Sequence, residues 1–449
     1  MTLRTKKTLA WGFWGINLAV VFGFWLSGPA PQQIASGDLV VAWHAVGRLF
    51  GLVATYCALV QFVLMGRVGW LEPIFGLDRL AVFHRGNGTV ALLLMLLHSS
   101  SMVITFSLLS GVDPLTGAQF VLGLPFVMWA AVAEVLFVVT VVASVVIVRR
   151  HLKFETWYTV HLFNYLAIAF IPFHQLTNGS DFLLNQVFAW YWIGLYVFAL
   201  LNLLIWRFGR TFWLSWRHDF TVEKVVKETP TAHSVYITGK NLQHFRAKGG
   251  QFVLVRFLDK ERGWQEHPFS LSQLPDEQYI RLTVRQLGDF TNSVPAITPG
   301  TKVWVSGPFG AFTHEQQVAN KVLYIAGGIG ITPLRAMIQE RAESGQKGTA
   351  AMLYGNRTIE DTALMGELEQ LAQKIAMPIY NILSEQKDYK GEVGFVDKEK
   401  IARLVPDVAE RDVFLCGPPP MMAGVKKALA ELGVPANQVH YERFALHKG

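Results

Sequence analysis

The chain has 449 residues, a length that accommodates two or three domains. Hydrophobic residues make up 51% of it and charged residues only 16%, which favours a membrane protein over a soluble one. Its two cysteines, Cys57 and Cys416, exclude a disulfide framework and a four-cysteine iron–sulfur cluster. The formal net charge of +7 lies largely at the ends of apolar runs, so it indicates membrane topology and not nucleic-acid binding.

Apolar residues form six runs long enough to cross a hydrocarbon core of about 30 Å, which takes about 20 helical residues. The runs cover residues 8–27, 44–66, 81–110, 126–148, 155–176 and 187–206. Lys and Arg occur before the first run, between runs two and three, between runs four and five, and after the last run. The other three loops contain neither. By the positive-inside rule, the sequence predicts a multi-pass protein of the cell membrane, surrounded by lipid, with cytoplasmic N- and C-termini.

Four histidines lie inside two of these runs, where ionisable side chains are costly and usually functional. His84 and His98 are 14 residues apart in the third run, which places them about 21 Å apart on one helix face. His161 and His174 in the parallel fifth run are 13 residues apart, about 140° out of phase on a regular helix, and Pro172 is expected to correct this. The layout predicts two stacked bis-histidine sites, His84 with His161 and His98 with His174, suited to two haems; zinc is the alternative.

One further charge, Arg48, lies about one helical turn inside the outer end of the second run. Its side chain either snorkels to the interface or serves an outer haem propionate or a bound acceptor as a cation. Both interpretations stay open at the level of sequence, and Arg48 is therefore a candidate catalytic residue.

From residue 219 the pattern changes to short alternating strands, which predicts a small antiparallel β-barrel over residues 217–316. The predicted strands are Phe220–Val226, Ser234–Thr238, Gln251–Phe257, Tyr279–Arg285 and Lys302–Ser306. A first motif combines a rigid turn, an aromatic ring and a hydroxyl after a strand, in His267, Pro268, Phe269 and Ser270. A second combines a guanidinium at a strand end with a glycine and a hydroxyl, which suits a pyrophosphate, in Arg285, Gly288, Phe290 and Thr291.

Residues 317–449 alternate strands and helices, which predicts a Rossmann-like α/β domain that binds NAD(P). One strand leads through a glycine-rich turn into a helix, the arrangement that admits a dinucleotide; the turn contains Gly327, Gly328, Gly330, Thr332 and Pro333. Arg357 follows the next strand, where a cation can meet a 2′-phosphate, and no acidic residue is expected immediately beside it. A late strand ends in Cys416, Gly417 and Pro418, at a position that suits the nicotinamide.

Together these residues resemble the NADPH oxidase and ferric reductase superfamily over essentially the whole chain, and look like a bacterial NADPH-oxidase-like enzyme. The resemblance implies a ferric-reductase-like transmembrane domain over residues 1–210 that binds two b-type haems. It implies a dehydrogenase part similar to ferredoxin–NADP reductases, in which the motifs at His267 and Arg285 contact FAD. The glycine-rich turn, Arg357 and the motif at Cys416 would contact NAD(P)H.

In this superfamily an aromatic residue near the C-terminus stacks on the flavin, and Phe444 matches it. The resemblance implies that NADPH, with NADH usable, reduces FAD after Phe444 moves, and that electrons then reach an external acceptor through the inner and the outer haem. NADPH oxidases space their histidines by 14 and 13 residues, as here, whereas yeast-type ferric reductases tend to 14 and 14. Met102 departs from the animal oxidases, which have a histidine near the oxygen site at this place.

The outer loops contain no Lys or Arg, so they offer no basic cleft for a large anionic ferric chelate. Dioxygen needs only access to the outer haem edge, where one cation can favour the developing anion. We therefore expect an NADPH oxidase that produces superoxide outside the membrane, with a transmembrane ferric-chelate reductase as the alternative, and no partner subunit is evident. A transporter with a regulatory nucleotide-binding domain is the alternative from another class, but it gives the paired histidines no purpose.

Overall fold

The computed structural model describes residues 3–145, 151 and 154–442, and the chain divides after Arg207 into two compact units. The described part of the first unit is helical, and the second combines β-sheets with helices. The helices of the first unit are Leu3–Ser27, Ala30–Ile34, Leu39–Met65, Glu72–Phe75, Leu77–Ser110, Pro114–Gly123, Val127–Ser144, Phe154–Asn178, Ser180–Leu183 and Gln186–Asn202. A π-helical segment, Leu203–Gly209, then continues into the helix Arg210–His218.

Five helices within the described residues are long and apolar enough to cross a membrane: Thr5–Ser27, Leu39–Met65, Leu77–Ser110, Val127–Ser144 and Gln186–His218. The predicted fifth run also forms a long helix, Phe154–Asn178, but it is not one of these five. Its polar side chains reduce its hydropathy; they include His161, Asn164, His174 and Gln175. The predicted count of six apolar spans is therefore not confirmed. Pro172 lies inside this helix and does not end it.

The helix Leu39–Met65 is the most buried of the long apolar helices and packs most extensively against Leu77–Ser110. Two glycines four residues apart on its surface allow the two backbones to approach closely. A Cβ atom at Gly47 would lie 2.7 Å from the side chain of Ser101, and one at Gly51 would lie 2.7 Å from Nδ1 of His98. The close approach of these helices therefore fixes the position of the His98 ring.

The second unit begins with two three-stranded antiparallel sheets. Their strands are β1 (Thr221–Lys227), β2 (Ala232–Thr238), β3 (Phe252–Phe257), β4 (His267–Ser270), β5 (Ile280–Arg285) and β6 (Val303–Phe309). The strand orders are β1-β2-β5 and β4-β3-β6. Isolated bridges from Thr221 to Lys302 and from Leu271 to Leu282 join the sheets at single points. The predicted closed barrel is therefore not confirmed, because this pairing leaves two separate sheets around a shared apolar core.

The rest of the second unit is a six-stranded parallel sheet with helices. Its strands are β7 (Lys321–Gly327), β8 (Ala350–Asn356), β9 (Ile379–Leu383), β10 (Glu392–Val393), β11 (Arg411–Cys416) and β12 (Val439–Glu442). The longer helices are Ile331–Glu343, Met365–Ile375, Lys398–Leu404 and Pro419–Glu431. The strand order is β10-β9-β8-β7-β11-β12. All strands are parallel, but successive strands are added on one side of β7 up to β10 and on its other side for β11 and β12. Ligands of open parallel sheets bind at such a switch point, outside the carboxyl ends of the strands.

A charged cluster joins the two lobes of this unit, which are the lobe with the two antiparallel sheets and the nucleotide lobe with the parallel sheet. The carboxylate of Glu367 accepts hydrogen bonds from both terminal nitrogens of Arg281, at 2.6 and 2.8 Å, and pairs with Arg335 at 2.8 Å. Burial raises the pKa of Glu367, but the hydrogen bonds and charges of the two arginines outweigh burial and hold that pKa below its usual value. The contribution of Glu367 to stability is therefore complete above its unfolded-state pKa and is lost as the pH falls through its folded-state pKa.

We expect Glu367→Gln to lower the free energy of unfolding of this unit at neutral pH. The loss should be about 1–2 kcal/mol, the lower part of the range for charged hydrogen bonds, because the carboxylate is 37% exposed and solvent screens it. Urea unfolding of the full chain in detergent micelles, followed by circular dichroism, measures the change. Glu369→Gln, an exposed change two residues along the same helix, is the control. Equal midpoints for the two variants would contradict the prediction.

Candidate functional site

The first predicted histidine pair forms between the helices Leu77–Ser110 and Phe154–Asn178. The ring centroids of His84 and His161 lie 5.9 Å apart and the ring planes meet at 58°. Both rings are half-buried, and their Nδ1 atoms are buried without a hydrogen bond of good geometry among the described residues, although the backbone of Gln61 lies near the His84 ring. Two neighbouring imidazoles on facing helices are the side chains that a b-type haem takes as ligands, so His84 and His161 could hold one haem.

The second predicted pair, His98 and His174, forms between the same two helices, and its members are close enough to interact electrostatically. Nδ1 of His98 lies 2.9 Å from the carbonyl oxygen of Gly47. When Nδ1–H donates to this carbonyl, the ring is oriented and Nε2 is left to bind a metal. Nδ1 of His174 is buried without a hydrogen bond of good geometry in the part of the chain described. The structure thus places the rings of His84 and His161 side by side and His98 near His174, and these four residues could hold two haems.

A buried hydrogen-bond network surrounds the residue next to His174. Nε2 of Gln175 donates to Oγ1 of Thr55 at 2.7 Å, while its Oε1 accepts from Nε1 of Trp192 at 2.9 Å and from the hydroxyl of Tyr196 at 3.1 Å. Three helices are therefore joined at one amide. Because every polar atom of this side chain is satisfied, the network anchors the helical turn that carries His174.

A zinc site does not match this arrangement. No group of three or more His, Cys, Asp or Glu side chains that could hold a metal ion occurs among the residues that the structure describes. Structural zinc normally takes four protein ligands at one point. The two separate pairs therefore favour haem over zinc.

The side chain of Arg48 forms a buried ion pair. Its Nε lies 2.9 Å from Oδ2 of Asp181, and the two side chains are 9% and 4% exposed. Nη2 of Arg48 and Oδ1 of Asp181 have no hydrogen-bond partner within the described residues. Asp181 belongs to the segment between the last two long helices, so the Arg48 side chain extends toward that segment and is covered there by protein. The positive charge that was a candidate for an acceptor site is instead largely neutralised by Asp181.

The first motif predicted to contact the flavin, His267 to Ser270, is a strand and not the predicted turn. His267–Ser270 forms β4 at the edge of its sheet, a place where proline is tolerated because no ladder partner needs its missing N–H. The rings of Phe269 and Phe290 stack with centroids 6.1 Å apart, and the His267 ring lies 3.8 Å from Phe290. The Ser270 hydroxyl is buried without a hydrogen bond among the described residues. The aromatic rings of the two flavin motifs are therefore in contact.

The second flavin motif lies at the end of β5, where Gly288 precedes a short helix over residues 289–293. The hydroxyl oxygen of Thr291 accepts from the backbone N–H groups of Leu287 and Gly288, at 2.9 and 3.0 Å, and closes the turn. A Cβ atom at Gly328 would lie 3.1 Å from Nη1 of Arg285. Arg285 therefore reaches the glycine-rich turn of the nucleotide lobe, where it can serve a pyrophosphate as a charged donor.

The glycine-rich turn and the strand-end motif at Cys416 meet at the switch point between β7 and β11. A Cβ atom at Gly327 would lie 2.8 Å from Cδ of Pro418, and one at Gly417 would lie 3.1 Å from the Cα of Gly327. A Cβ atom at Gly330 would collide with the carbonyl oxygen of Cys416. The absence of side chains is thus required for these backbones to lie side by side, and the structure joins two motifs that the sequence separates.

Within this turn, Gly328 has a positive φ of +52°, which favours glycine. The Thr332 hydroxyl donates to the carbonyl of Ile329 at 3.1 Å, and both Thr332 and Pro333 are buried. These two buried residues therefore stabilise the conformation of the turn. The turn continues directly into the helix Ile331–Glu343, as predicted for a dinucleotide-binding strand–turn–helix.

Cys416 is fully buried at the carboxyl end of β11. Its Sγ lies 3.8 Å from the carbonyl oxygen of Glu442, and burial raises the pKa of the thiol well above its usual value. The side chain is therefore a protonated thiol. It is not a thiolate nucleophile, and its role beside nicotinamide stays a prediction.

Arg357 follows β8, as predicted, and its side chain is 62% exposed. Its Nε lies 3.6 Å from Oε1 of Glu385, and the backbone N–H of Glu385 donates to the carbonyl of Arg357 at 2.9 Å. An acidic residue that the sequence around Arg357 does not indicate, Glu385, therefore stands beside it from the end of the neighbouring strand. Phe444 lies outside the described residues, which reach Glu442 at the end of β12.

Three family models match successive parts of the chain. Residues 50–172 match a ferric reductase like transmembrane component, residues 219–313 an FAD-binding domain, and residues 324–427 an oxidoreductase NAD-binding domain. The first match and the long apolar helices indicate a membrane protein.

The relatives with similar sequences each match about half of this chain. A glycine betaine monooxygenase reductase subunit of Chromohalobacter salexigens is 29% identical over 52% of this chain and 65% of its own length. Flavohemoprotein A of Dictyostelium discoideum is 27% identical over 51% of this chain and 61% of its own length. This chain thus spans less than two thirds of each of these relatives.

Two solved structures illustrate the similarity. The ferredoxin reductase in carbazole 1,9a-dioxygenase is 22% identical, with a TM-score of 0.44, over 50% of this chain and 68% of that one. The flavohemoglobin from Malassezia yamatoensis, determined with bound FAD and heme, is 19% identical, with a TM-score of 0.48, over 88% of this chain and 99% of that one.

Sequence patterns missed several residues that shape these sites. Gly47 and Gly51 position His98, and their four-residue spacing was a readable signal. Asp181, Gln175 and Glu385 carry no local signal, because each acts on a side chain that is distant in sequence or on a neighbouring strand. Such pairs become visible only when the chain is folded.

Proposed function

This chain has the architecture of the NADPH oxidase and ferric reductase superfamily, and from it we propose a transmembrane NAD(P)H oxidase. The proposed enzyme moves electrons from NADPH through FAD and two b haems to external dioxygen and produces superoxide. The family matches support an NAD(P)H-dependent oxidoreductase with FAD-binding and NAD-binding domains in a membrane protein. The observation that carries the haem part of the proposal is the pairing of His84 with His161 and of His98 with His174.

The proposed domains are a haem-binding membrane domain over residues 1–210, an FAD-binding domain over 217–316 and an NAD(P)-binding domain over 317–449. Both termini face the cytoplasm in this proposal, because Lys and Arg flank the apolar runs on one side only. Part of that charge pattern, at residues 149, 150 and 153, lies outside the described residues. The membrane lipid is the proposed surrounding, and no partner subunit is included.

In the membrane domain, His84 and His161 would hold the inner haem, and His98 and His174 the outer haem. The carbonyl of Gly47 orients His98, and the Nδ1 atoms of the other three histidines are buried in the bundle. In the cytoplasmic part, the strand β4 and the turn after Arg285 would hold FAD, while the contact between the glycine-rich turn and the Cys416 motif would hold NADPH. FAD supplies the conversion of a two-electron hydride donor into single electrons, which haems can carry.

Phe444 is proposed to cover the flavin face that nicotinamide needs. Phe444→Ser should change the KM for NADPH or the rate of hydride transfer, because an aromatic ring and nicotinamide compete for one stacking surface. Truncation after Phe444 keeps the ring and is the matched control, for which we expect a mild effect. Stopped-flow flavin bleaching measures both. Wild-type behaviour of Phe444→Ser would place Phe444 away from the flavin.

The external acceptor is proposed to be dioxygen. The outer loops contain no Lys or Arg, and Asp181 neutralises the buried Arg48. A bulky anionic chelate therefore finds no cationic cleft, whereas a small neutral molecule needs none. A ferric-chelate reductase is the second candidate, favoured by the match of residues 50–172 to a ferric reductase like transmembrane component.

We expect NADPH-dependent oxygen uptake by the purified holoenzyme, with cytochrome c reduction that superoxide dismutase abolishes, because each outer-haem electron converts one dioxygen into one superoxide. Anaerobic reduction of ferric citrate or ferric EDTA should be much slower. The control is the same preparation with NADPH omitted. Negligible oxygen uptake beside rapid anaerobic chelate reduction would replace the oxidase proposal with the ferric reductase.

A further inference from the structure

The last long helix extends beyond the length that a bilayer core requires. Helical residues continue without interruption from Gln186 to His218, 33 residues in all, or about 50 Å at ~1.5 Å per residue, against a hydrocarbon core of about 30 Å. Its final segment, Arg210–His218, belongs to the second compact unit, and we call it the juxtamembrane helix. It packs against β6, where the hydroxyls of Thr211 and Ser306 lie 2.9 Å apart.

The juxtamembrane helix has one apolar face that the described residues leave uncovered. Leu214 and His218 are buried against the sheet, as an amphipathic helix requires. The opposite face carries Phe212, Trp213 and Trp216, which are 65%, 47% and 73% exposed. Three adjacent large aromatic side chains on one exposed face form a patch of the kind that marks an interaction surface.

The charge of this helix favours an anionic partner. It contains Arg210 and Arg217 and no acidic residue. The guanidinium of Arg217 lies 4.9 Å from the ring centroid of Trp213, so charge and aromatic surface occupy neighbouring positions. Trp beside Arg at the end of a membrane span is typical of the headgroup region of a bilayer.

The segment before it, Leu203–Gly209, is π-helical, a form in which long helices change direction. A π-bulge is a place where a helix can change direction, which would allow the helix that follows to run along a membrane surface. The juxtamembrane helix follows the last apolar helix directly in the sequence.

We propose that the juxtamembrane helix binds the surface of a bilayer that contains anionic phospholipid. Phe212, Trp213 and Trp216 insert at the boundary of headgroups and acyl chains, and Arg217 contacts lipid phosphate. The cytoplasmic unit would thus have its own contact with the membrane, in addition to its covalent link to the last span. This inference requires membrane insertion but neither a particular coenzyme nor a particular acceptor.

The test uses the full chain with its cofactors in nanodiscs made of equal parts phosphatidylcholine and phosphatidylglycerol. A nitroxide label at Trp216→Cys should be several-fold more accessible to dissolved oxygen than to a water-soluble nickel chelate, because it lies among lipids. A label at Trp264→Cys, another exposed tryptophan of the same unit, should show the opposite preference. The parent chain, whose Cys57 is half-buried and Cys416 buried, provides the labelling background.

Two results of this measurement would contradict the proposal. Equal accessibility ratios at Trp216→Cys and Trp264→Cys would show that the helix faces water. A label that neither reagent reaches would show that protein covers the face, either this chain or a partner. If Trp216→Cys loses its flavin absorbance, Phe212→Cys on the same face replaces it. The oxygen preference should also fall in Arg217→Gln or in discs without phosphatidylglycerol, and an unchanged preference in both would overturn the anionic-lipid part.

Discussion

Replacing His98 or His174 by alanine should remove one of two haems from the purified protein and abolish reduction of the external acceptor. Each substitution takes away one axial ligand of the outer site, while the inner pair, His84 and His161, remains in place. Because the flavin and nucleotide sites lie in the other unit, anaerobic reduction of FAD by NADPH should persist. The haem-to-flavin ratio, the reduced-minus-oxidised b-haem spectrum and acceptor turnover measure these three effects.

His44 offers a matched control for this experiment. It lies on the neighbouring helix, is half-buried like His98, and places Nδ1 3.0 Å from Oγ1 of Thr105. It also lies near His98, but it is not one of the predicted pair partners, so His44→Ala should keep both haems. Full haem content in His98→Ala and in His174→Ala would refute the assignment of the outer site. Loss of haem in all three variants would indicate a general defect of folding.

Arg357→Ala should raise the KM for NADPH roughly 10- to 150-fold and leave the KM for NADH nearly unchanged. A hydrogen bond to a charged group contributes about 1.5–3 kcal/mol, which corresponds to this range. Only NADPH carries the 2′-phosphate that the guanidinium would meet. Steady-state kinetics with both coenzymes measure the change. Arg403→Ala, which removes another exposed arginine of the same lobe and its ion pair with Glu392, should leave both KM values unchanged.

Glu385 modifies this expectation in a measurable direction. Its carboxylate pairs with Arg357 across 3.6 Å and is 61% exposed, so it competes with the 2′-phosphate for the guanidinium. An exposed pair of this kind contributes about 0–1 kcal/mol, so Glu385→Gln should lower the KM for NADPH by up to about fivefold. The same competition would narrow the preference for NADPH over NADH. Identical coenzyme ratios in Arg357→Ala and the parent chain would show that Arg357 does not select the coenzyme.

The sequence alone predicted membrane segments and a pairing of four histidines. Charges are costly in hydrocarbon, so uninterrupted apolar runs and their flanking Lys and Arg identify membrane segments without any knowledge of packing. Helical periodicity then places His84 and His98 on one face, and the structure pairs them with His161 and His174. The glycine-rich turn was equally readable, because strand, glycines and helix are contiguous.

Tertiary structure decided the features that depend on residues far apart along the chain. Whether short strands close into a barrel depends on which distant strands pair, and here the pairing gives two sheets. Arg48 looked like a free cation until folding placed Asp181 against it, and Arg357 looked unaccompanied until parallel pairing of β8 and β9 brought Glu385 alongside. Local patterns report the environment that a side chain needs, but its charge partner depends on the approach of another segment, and only the folded chain contains that information.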